Sequence, residues 1–302
     1  MTLYRVRHRT AYRYSTAVDL GQHRLVLRPR EKAGQTTRRF DLRIDPEPDG
    51  LDPHDDAFGN HAESFTLDRP HTALVVDAQS EVEVRAPAPL MLSVSPGWED
   101  VAAFARRDRS PEGLDALGMV FDSRLAAGQA ELADYARSCF TPGRPVLEAA
   151  EALNRRVFDE FAYDPTATTV STPVWRVFAE RRGVCQDFAH LMIGMLRSLG
   201  LPARYVSGYL RSADTAPPGQ SVGLVGADAS HAWVSLRVAA PGCDLGWVDF
   251  DPTNNRVPGD THVTVAWGRD YADVAPVKGV LVGGGRHELE VAVRVEPVND
   301  GY

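Results

Sequence analysis

Lysine is nearly absent from this 302-residue chain: Lys32 and Lys278 are the only two, and arginine supplies the rest of the 33 basic residues. A protein so poor in amines offers few acyl acceptors of its own. With 41 acidic residues the formal net charge is −8, which excludes a dedicated nucleic-acid binder, since neutralising phosphates needs a basic face. Cysteine is also scarce. Cys139, Cys185 and Cys243 are odd in number and widely spaced, so no disulfide framework is expected and a reducing cytoplasm fits best. No run approaches the roughly 18 apolar residues of a membrane span. The start, Met1 to Val6, alternates polar and apolar residues without the apolar core of a signal peptide. No membrane partner is expected, and no internal repeat or low-complexity tract is present.

What is present reads as an α+β protein. Residues 1–90 carry short strand-like runs at Tyr4-Val6-His8, Leu25-Val26-Leu27, Phe40-Leu42-Ile44, Leu74-Val75-Val76 and Val82-Glu83-Val84, separated by turn signals such as Asp45-Pro46-Glu47-Pro48-Asp49-Gly50. That pattern predicts an N-terminal β-sandwich domain, with Ala86-Pro87-Ala88-Pro89 as linker. Residues 91–302 are expected to form the second domain. Leu132, Tyr135, Ala136 and Cys139 lie at helical spacing, as do Leu147, Ala150, Leu153, Val157 and Phe158. Pro173 opens a short helix over Val174–Glu180. Strands are expected at 204–210, 232–238, 246–250, 262–267, 279–282 and 288–295.

The chemistry centres on Arg181-Arg182-Gly183-Val184-Cys185-Gln186-Asp187-Phe188, which opens a helix running to Leu199 and stopping at Gly200. Phe188, Leu191, Met192, Met195, Leu196 and Leu199 form its buried stripe. Cys185 sits on that inward face in the first turn. There the backbone N–H groups lack intrahelical acceptors and the helix dipole is positive, both of which favour a thiolate. Taken alone, a buried cysteine near a helix end reads first as a small hydrophobe. Two further residues bear on the choice. His231 starts an apolar strand and Asp251 ends the next one. If the two strands pair as a hairpin, their opposite ends meet, and a carboxylate can fix the imidazole while its other nitrogen faces the sulfur. Alone, His231 could end a loop and Asp251 could start an Asx-Pro turn.

Gly183-Val184-Cys185-Gln186-Asp187-Phe188-Ala189, Ser230-His231-Ala232-Trp233-Val234 and Asp251-Pro252-Thr253-Asn254-Asn255 together resemble the bacterial transglutaminase-like superfamily, in the expected order. Gly268-Arg269-Asp270-Tyr271-Ala272-Asp273-Val274-Ala275-Pro276 resembles a later block of the same group, and Asp56-Ala57-Phe58-Gly59-Asn60 resembles part of its N-terminal β-domain, so the likeness covers nearly the whole chain. It implies a papain-like α+β core with Cys185 as nucleophile, His231 as general base and acid, and Asp251 as its orienter. It also implies peptide-like substrates and, with no stretch similar to the calcium sites of animal transglutaminases, catalysis without a cofactor.

Around these three, Tyr163 and Gln186 are candidates for oxyanion or substrate binding. Asp187 stabilises the helix N-terminus, His190 is structural, and Trp233 and Trp247 are wall or core residues. Cys139 and Cys243 lack catalytic context, and no close ligand pair suggests a metal. The leading function is acyl transfer through a thioester to water, a cysteine peptidase or amidase acting on a peptide or protein. An amine acceptor would make it a transglutaminase. A catalytically silent peptide-binding module is the reading from a different class.

Overall fold

A computed structural model of the chain describes residues 1–89, 91–212, 224–225 and 230–298. Alternation of apolar and charged residues shapes the first half. Along β1 (Thr2–Leu25), Tyr4, Val6 and His8 are buried while Arg5 and Arg7 face solvent, the period of two that a half-buried strand requires. Four more strands follow: β2 (Gln35–Asp45), β3 (Asp52–Asp55), β4 (His61–Leu67) and β5 (His71–Val84). The run expected at Tyr4 lies near the start of β1, the one at Leu25 begins on the last residue of that same strand and continues past it, and those at Leu74 and Val82 both lie on β5.

The register of β1 against β5 breaks between Arg13 and Val18. Before the break β1 pairs with β5, and beyond it with β4. One long strand therefore serves both halves of a seven-stranded sheet. The sheet curls over a core of Tyr14, Val18, Leu25, Phe65, Leu74 and Val76, with Leu42 and Ile44 of β2 packed on it. The expected sandwich is thus built from one curled sheet. At the other end of the same face, Tyr4, Val6, Val82 and Val84 join the core of the second half of the chain.

The second half begins with four helices, α1 (Trp98–Ala105), α2 (Pro111–Gly118), α3 (Ala130–Arg137) and α4 (Val146–Glu160). Ser110 caps α2 by accepting from the Gly113 N–H at 3.0 Å. Leu147, Ala150, Leu153 and Val157 of α4 are buried as their spacing predicts, but Phe158 is 45% exposed. It falls outside the stripe, and Phe161, just past the helix, fills the core instead. Next come β6 (Ala162–Tyr163), α5 (Val174–Glu180), β7 (Arg182–Gly183) and α6 (Cys185–Ser198). Gly200, at φ +79°, ends α6 in the left-handed conformation that glycine adopts without strain. The Leu201 N–H bonds back to the Leu196 carbonyl at 3.1 Å, closing the helix end. Within α6, the buried Arg197 guanidinium donates to the carbonyls of Met119, Ala126, Ala203 and Arg269. Burial draws its pKa down to about 10, so it remains charged and clamps the helix to the loops around it.

Against α6 lies an antiparallel sheet of β8 (Ala203–Leu210), β9 (His231–Ala240), β10 (Cys243–Phe250) and β11 (His262–Gly268), in the order β10-β9-β8-β11. Helix α7 (Tyr271–Val274) follows, and then β12 (Val277–Gly283) and β13 (His287–Pro297). A boundary at residue 90 puts these last two strands in the core. In the structure β13 pairs along Tyr4–Tyr14 and β12 along Val18–Leu25, so the chain's end completes the sheet that its beginning started.

Two side-chain amides lock the halves together. Gln35 Nε2 donates to the Thr264 carbonyl at 2.7 Å while the Thr264 N–H donates to Gln35 Oε1 at 2.8 Å. Asn60 repeats the pattern on Trp267, at 2.8 and 2.9 Å. Each amide substitutes for a neighbouring strand along the outer edge of β11, which would otherwise stand open. Asn60 belongs to the Asp56–Asn60 turn, in which Asp56 Oδ1 accepts from the Phe58 and Asn60 N–H groups at 2.9 Å. His8 adds a bond to the Tyr209 hydroxyl at 2.8 Å.

Candidate active site

The first turn of α6 carries Cys185, which is 9% exposed. Val184 before it is extended, and Asp187 at the third helical position accepts from the Val184 N–H at 2.8 Å and from Thr168 Oγ1 at 2.6 Å. The carboxylate thus ties down the helix start, the role its position suggests. The short parallel pair of β6 and β7 sets Tyr163 beside Gly183, two residues before the cysteine.

His231 and Asp251 come together through the β9–β10 hairpin, in which Phe250 pairs with Val234 in antiparallel register. Gly208 of β8 lies opposite His231. A Cβ there would come 2.2 Å from the Val263 carbonyl and 2.4 Å from the Trp233 ring, so glycine is what lets β8 and β11 close on this end of β9. His231 Nε2 donates to Asp251 Oδ2 at 2.9 Å, with both side chains fully buried. The other ring nitrogen, Nδ1, is buried without a hydrogen-bond partner among the described residues. Cys185 acts on the ring both by its charge and by a side-chain hydrogen bond, a bond too loose to meet strict geometry at Nδ1, as is common in free active sites. Burial would lower the His231 pKa, but the Asp251 charge and then Cys185 outweigh it and raise the pKa to about 10.

Asp251 is held by more than His231. Its Oδ2 also accepts from Asn254 Nδ2 at 2.8 Å and from His262 Nε2 at 3.3 Å, and its Oδ1 accepts from the N–H groups of Thr253 and Asn254 at 3.0 and 3.2 Å. Burial pushes a carboxyl up, yet the charge and hydrogen bond of His231, followed by His262, hold this one well below the ordinary carboxylate range. His262 itself is kept neutral by burial. Because Asp251 is ionised, His262 Nε2 must donate to it, which leaves Nδ1 to accept from Thr261 Oγ1 at 3.0 Å. The Asn254 amide is oriented in turn, since its Oδ1 accepts from the Val225 N–H at 2.9 Å.

The structure therefore gathers Cys185, His231 and Asp251. Tyr163 is partly exposed and close enough to Cys185 that, after burial, the sulfur raises its phenol. Gln186 donates its amide to the Val170 carbonyl at 3.3 Å. His190 Nε2 accepts from the Tyr271 N–H at 3.1 Å, a structural bond. Asp249, two residues before Asp251, pairs instead with Lys32 at 3.5 Å. Sequence reasoning missed His262 and the side chain of Asn254. A signal existed: His262-Val263-Thr264-Val265 opens its strand just as His231-Ala232-Trp233-Val234 does. Among the described residues no group of three or more His, Cys, Asp or Glu side chains is arranged to hold a metal ion.

Residues 4–83 match the family described as Bacterial transglutaminase-like N-terminal region, and residues 133–252 match the Transglutaminase-like superfamily. A Mycobacterium tuberculosis protein named as uncharacterized is 37% identical over 298 residues, covering 97% of this chain and 92% of its own. One from Mycobacterium leprae is 32% identical over 292 residues, 96% and 97% of the two chains. A protein-glutamine gamma-glutamyltransferase of Pseudomonas aeruginosa is 31% identical over 115 residues, 36% of this chain and 16% of that protein. Among solved structures, one from Cytophaga hutchinsonii described as a candidate cysteine protease superposes with a TM-score of 0.74 at 19% identity, over 100% of this chain and 92% of that one, a likeness of fold.

Proposed function

This chain belongs to the transglutaminase-like superfamily, and from that premise we propose that it is a cysteine-nucleophile enzyme that cleaves peptide or amide bonds through a thioester. The observation that carries the reading is the buried His231, bonded to Asp251 through Nε2 and presenting Nδ1 without another partner beside Cys185. Its raised proton affinity suits it to hold the thiol proton before attack, as an imidazolium beside the sulfur, which then adds to the substrate carbonyl. The tetrahedral intermediate collapses, the C–N bond breaks, and His231 hands the proton to the departing amine. Water then attacks the thioester with His231 as base, releasing the acid and restoring Cys185. Asp251, fixed by five donors, keeps the ring in one tautomer throughout. The Cys185 backbone N–H, in the unpaired first turn of α6, supplies one donor for the oxyanion, and Tyr163 is the candidate for a second.

A screen of peptides and isopeptides with product masses read out tests this. Wild-type protein should give fragments that have gained water, and Cys185→Ala should give none. Transfer to an amine is the second reading, supported by the partial likeness to a protein-glutamine gamma-glutamyltransferase. Adding a free amine to the screen separates the two, because transfer yields a product heavier by the amine. Cleavage that survives in folded Cys185→Ala overturns both.

A further inference from the structure

Behind the Asp251 cluster, between the curled sheet and the four-stranded one, lies a cavity of about 590 Å³, within the roughly 300–1,000 Å³ of small-molecule sites. His262 forms part of its wall, as do Trp233, Trp247, Trp267 and Arg204. Arg204 is 8% exposed and its guanidinium lies 4.1 Å from the Trp247 ring and 3.7 Å from the Trp267 ring. Arg30 covers Trp267 at 3.6 Å. The stack is good interdomain glue, and cation–π contact with two indoles accounts for the placement of the Arg204 guanidinium. It leaves the in-plane N–H groups unanswered. The Arg204 side chain makes no hydrogen bond or ion pair within 4 Å among the described residues, its Nε is buried and unpartnered, and so is the indole Nε1 of the fully buried Trp233.

Both unmatched groups are donors, so what they lack is an acceptor. The charges along the wall agree. Arg204, Lys32 and Arg85 are cationic, and the one carboxylate, Asp249, is already paired with Lys32 at 3.5 Å. Gln35, His262 and Thr264 add uncharged polar groups, and most of the remaining lining is apolar, from the indoles through Val84 and Pro87 to Val257. We propose that this cavity binds a small organic carboxylate with an apolar body, the carboxylate held by the terminal nitrogens of the Arg204 guanidinium. A planar fork matches two carboxylate oxygens at once, which a neutral group of the same shape cannot exploit. The inference is independent of the proposed chemistry, because neither Arg204 nor the indoles enter that reaction.

The test is titration of the full chain with phenylacetate and with its neutral isostere phenylacetamide, by calorimetry or ligand-observed NMR. Phenylacetate should bind more tightly by roughly tenfold or more, as a charged hydrogen bond provides. Arg204→Gln should erase that preference, and Arg204→Lys, which keeps the charge but not the fork, should recover part of it. Equal binding of the two compounds by wild-type protein overturns the proposal, and so does binding of neither. A preference that persists in folded Arg204→Gln also overturns it. The wild-type comparison decides even if the variants fail to fold.

Discussion

His262 Nε2 lies 3.3 Å from Asp251 Oδ2, the same oxygen that receives His231. A neutral imidazole in this place donates without adding charge, so it orients the carboxylate while leaving its pull on His231 intact. Removing that donor leaves Asp251 freer to turn. His262→Phe should fold and should lower kcat by about tenfold, the scale on which supporting hydrogen bonds behind a reacting group act. His262→Gln, which restores a donor, should recover part of the loss. Steady-state kinetics across pH checks this. A purely packing role for His262 would leave both folded variants at wild-type rates with an unchanged pH profile.

Asp251→Asn presents an amide that donates where an acceptor is required. The precedent from serine-protease triads is a loss on the order of 10⁴ in turnover, and the loss here should be smaller because a thiol depends less on a base than a hydroxyl does. The amide also sets an N–H group against the donors of His231, His262 and Asn254, so a stability cost of about 1–3 kcal/mol should accompany it. Turnover and thermal melting measured on the same preparation separate the two effects.

Stability should peak near neutral pH and fall on both sides. Burial pulls the pKa of His8 and of His190 down to about 4, against about 6.5 in an unfolded chain. Between those values the unfolded chain holds more protons than the folded one, so stability falls as pH drops, by up to about 1.4 kcal/mol per pH unit for each group. His231 is raised to about 10. Its contribution is complete below about pH 6.5 and is lost as pH rises toward 10, because the folded chain keeps a proton that the unfolded chain has released. Asp251 adds its share on the far acid side, below the ordinary carboxylate range. Melting temperature against pH should show His8→Phe flattening the acid limb and His231→Gln flattening the alkaline limb. A flat wild-type profile contradicts these assignments.

Gln35→Ala should destabilise the protein by about 1–3 kcal/mol, since it takes from the buried Thr264 N–H its acceptor and from the Arg30 carbonyl a donor at 2.8 Å, while the Thr264 carbonyl keeps the Arg30 N–H at 3.2 Å. Gln35→Glu should cost more at neutral pH despite its closer shape. It keeps the acceptor for Thr264 but loses the donor and buries a charge. Chemical denaturation of both variants ranks them, and the reverse order would show that side-chain volume rather than hydrogen bonding holds β11.

The meeting of the candidate residues was more legible than the strand pairing of the frame around them. Cys185 could be placed because a helix start, a buried stripe and a glycine stop are all local patterns. His231 and Asp251 followed because two adjacent strands in a hairpin leave one way for their ends to meet. The pairing of β12 and β13 with β1 was hidden, because sequence periodicity shows that a strand exists and not which distant strand it joins. Gln35 and Asn60 were hidden for the same reason. Each is a polar residue in a turn-rich stretch, and its role exists only once Thr264 and Trp267 are beside it. Phe158 misled because it continued an apolar run one position beyond the face that α4 buries.

Alkylation by iodoacetamide near neutral pH tests the central claim most directly, because accessibility and chemistry predict different orders. Cys243 is more exposed than Cys185 and Cys139, which are both buried, so accessibility alone would label Cys243 first. If Cys185 is a nucleophile served by His231, peptide mapping should find it modified fastest of the three, and His231→Gln should slow that reaction while leaving Cys243 unchanged. Preferential labelling of Cys243, or a Cys185 rate indifferent to His231→Gln in the folded variant, would contradict the account.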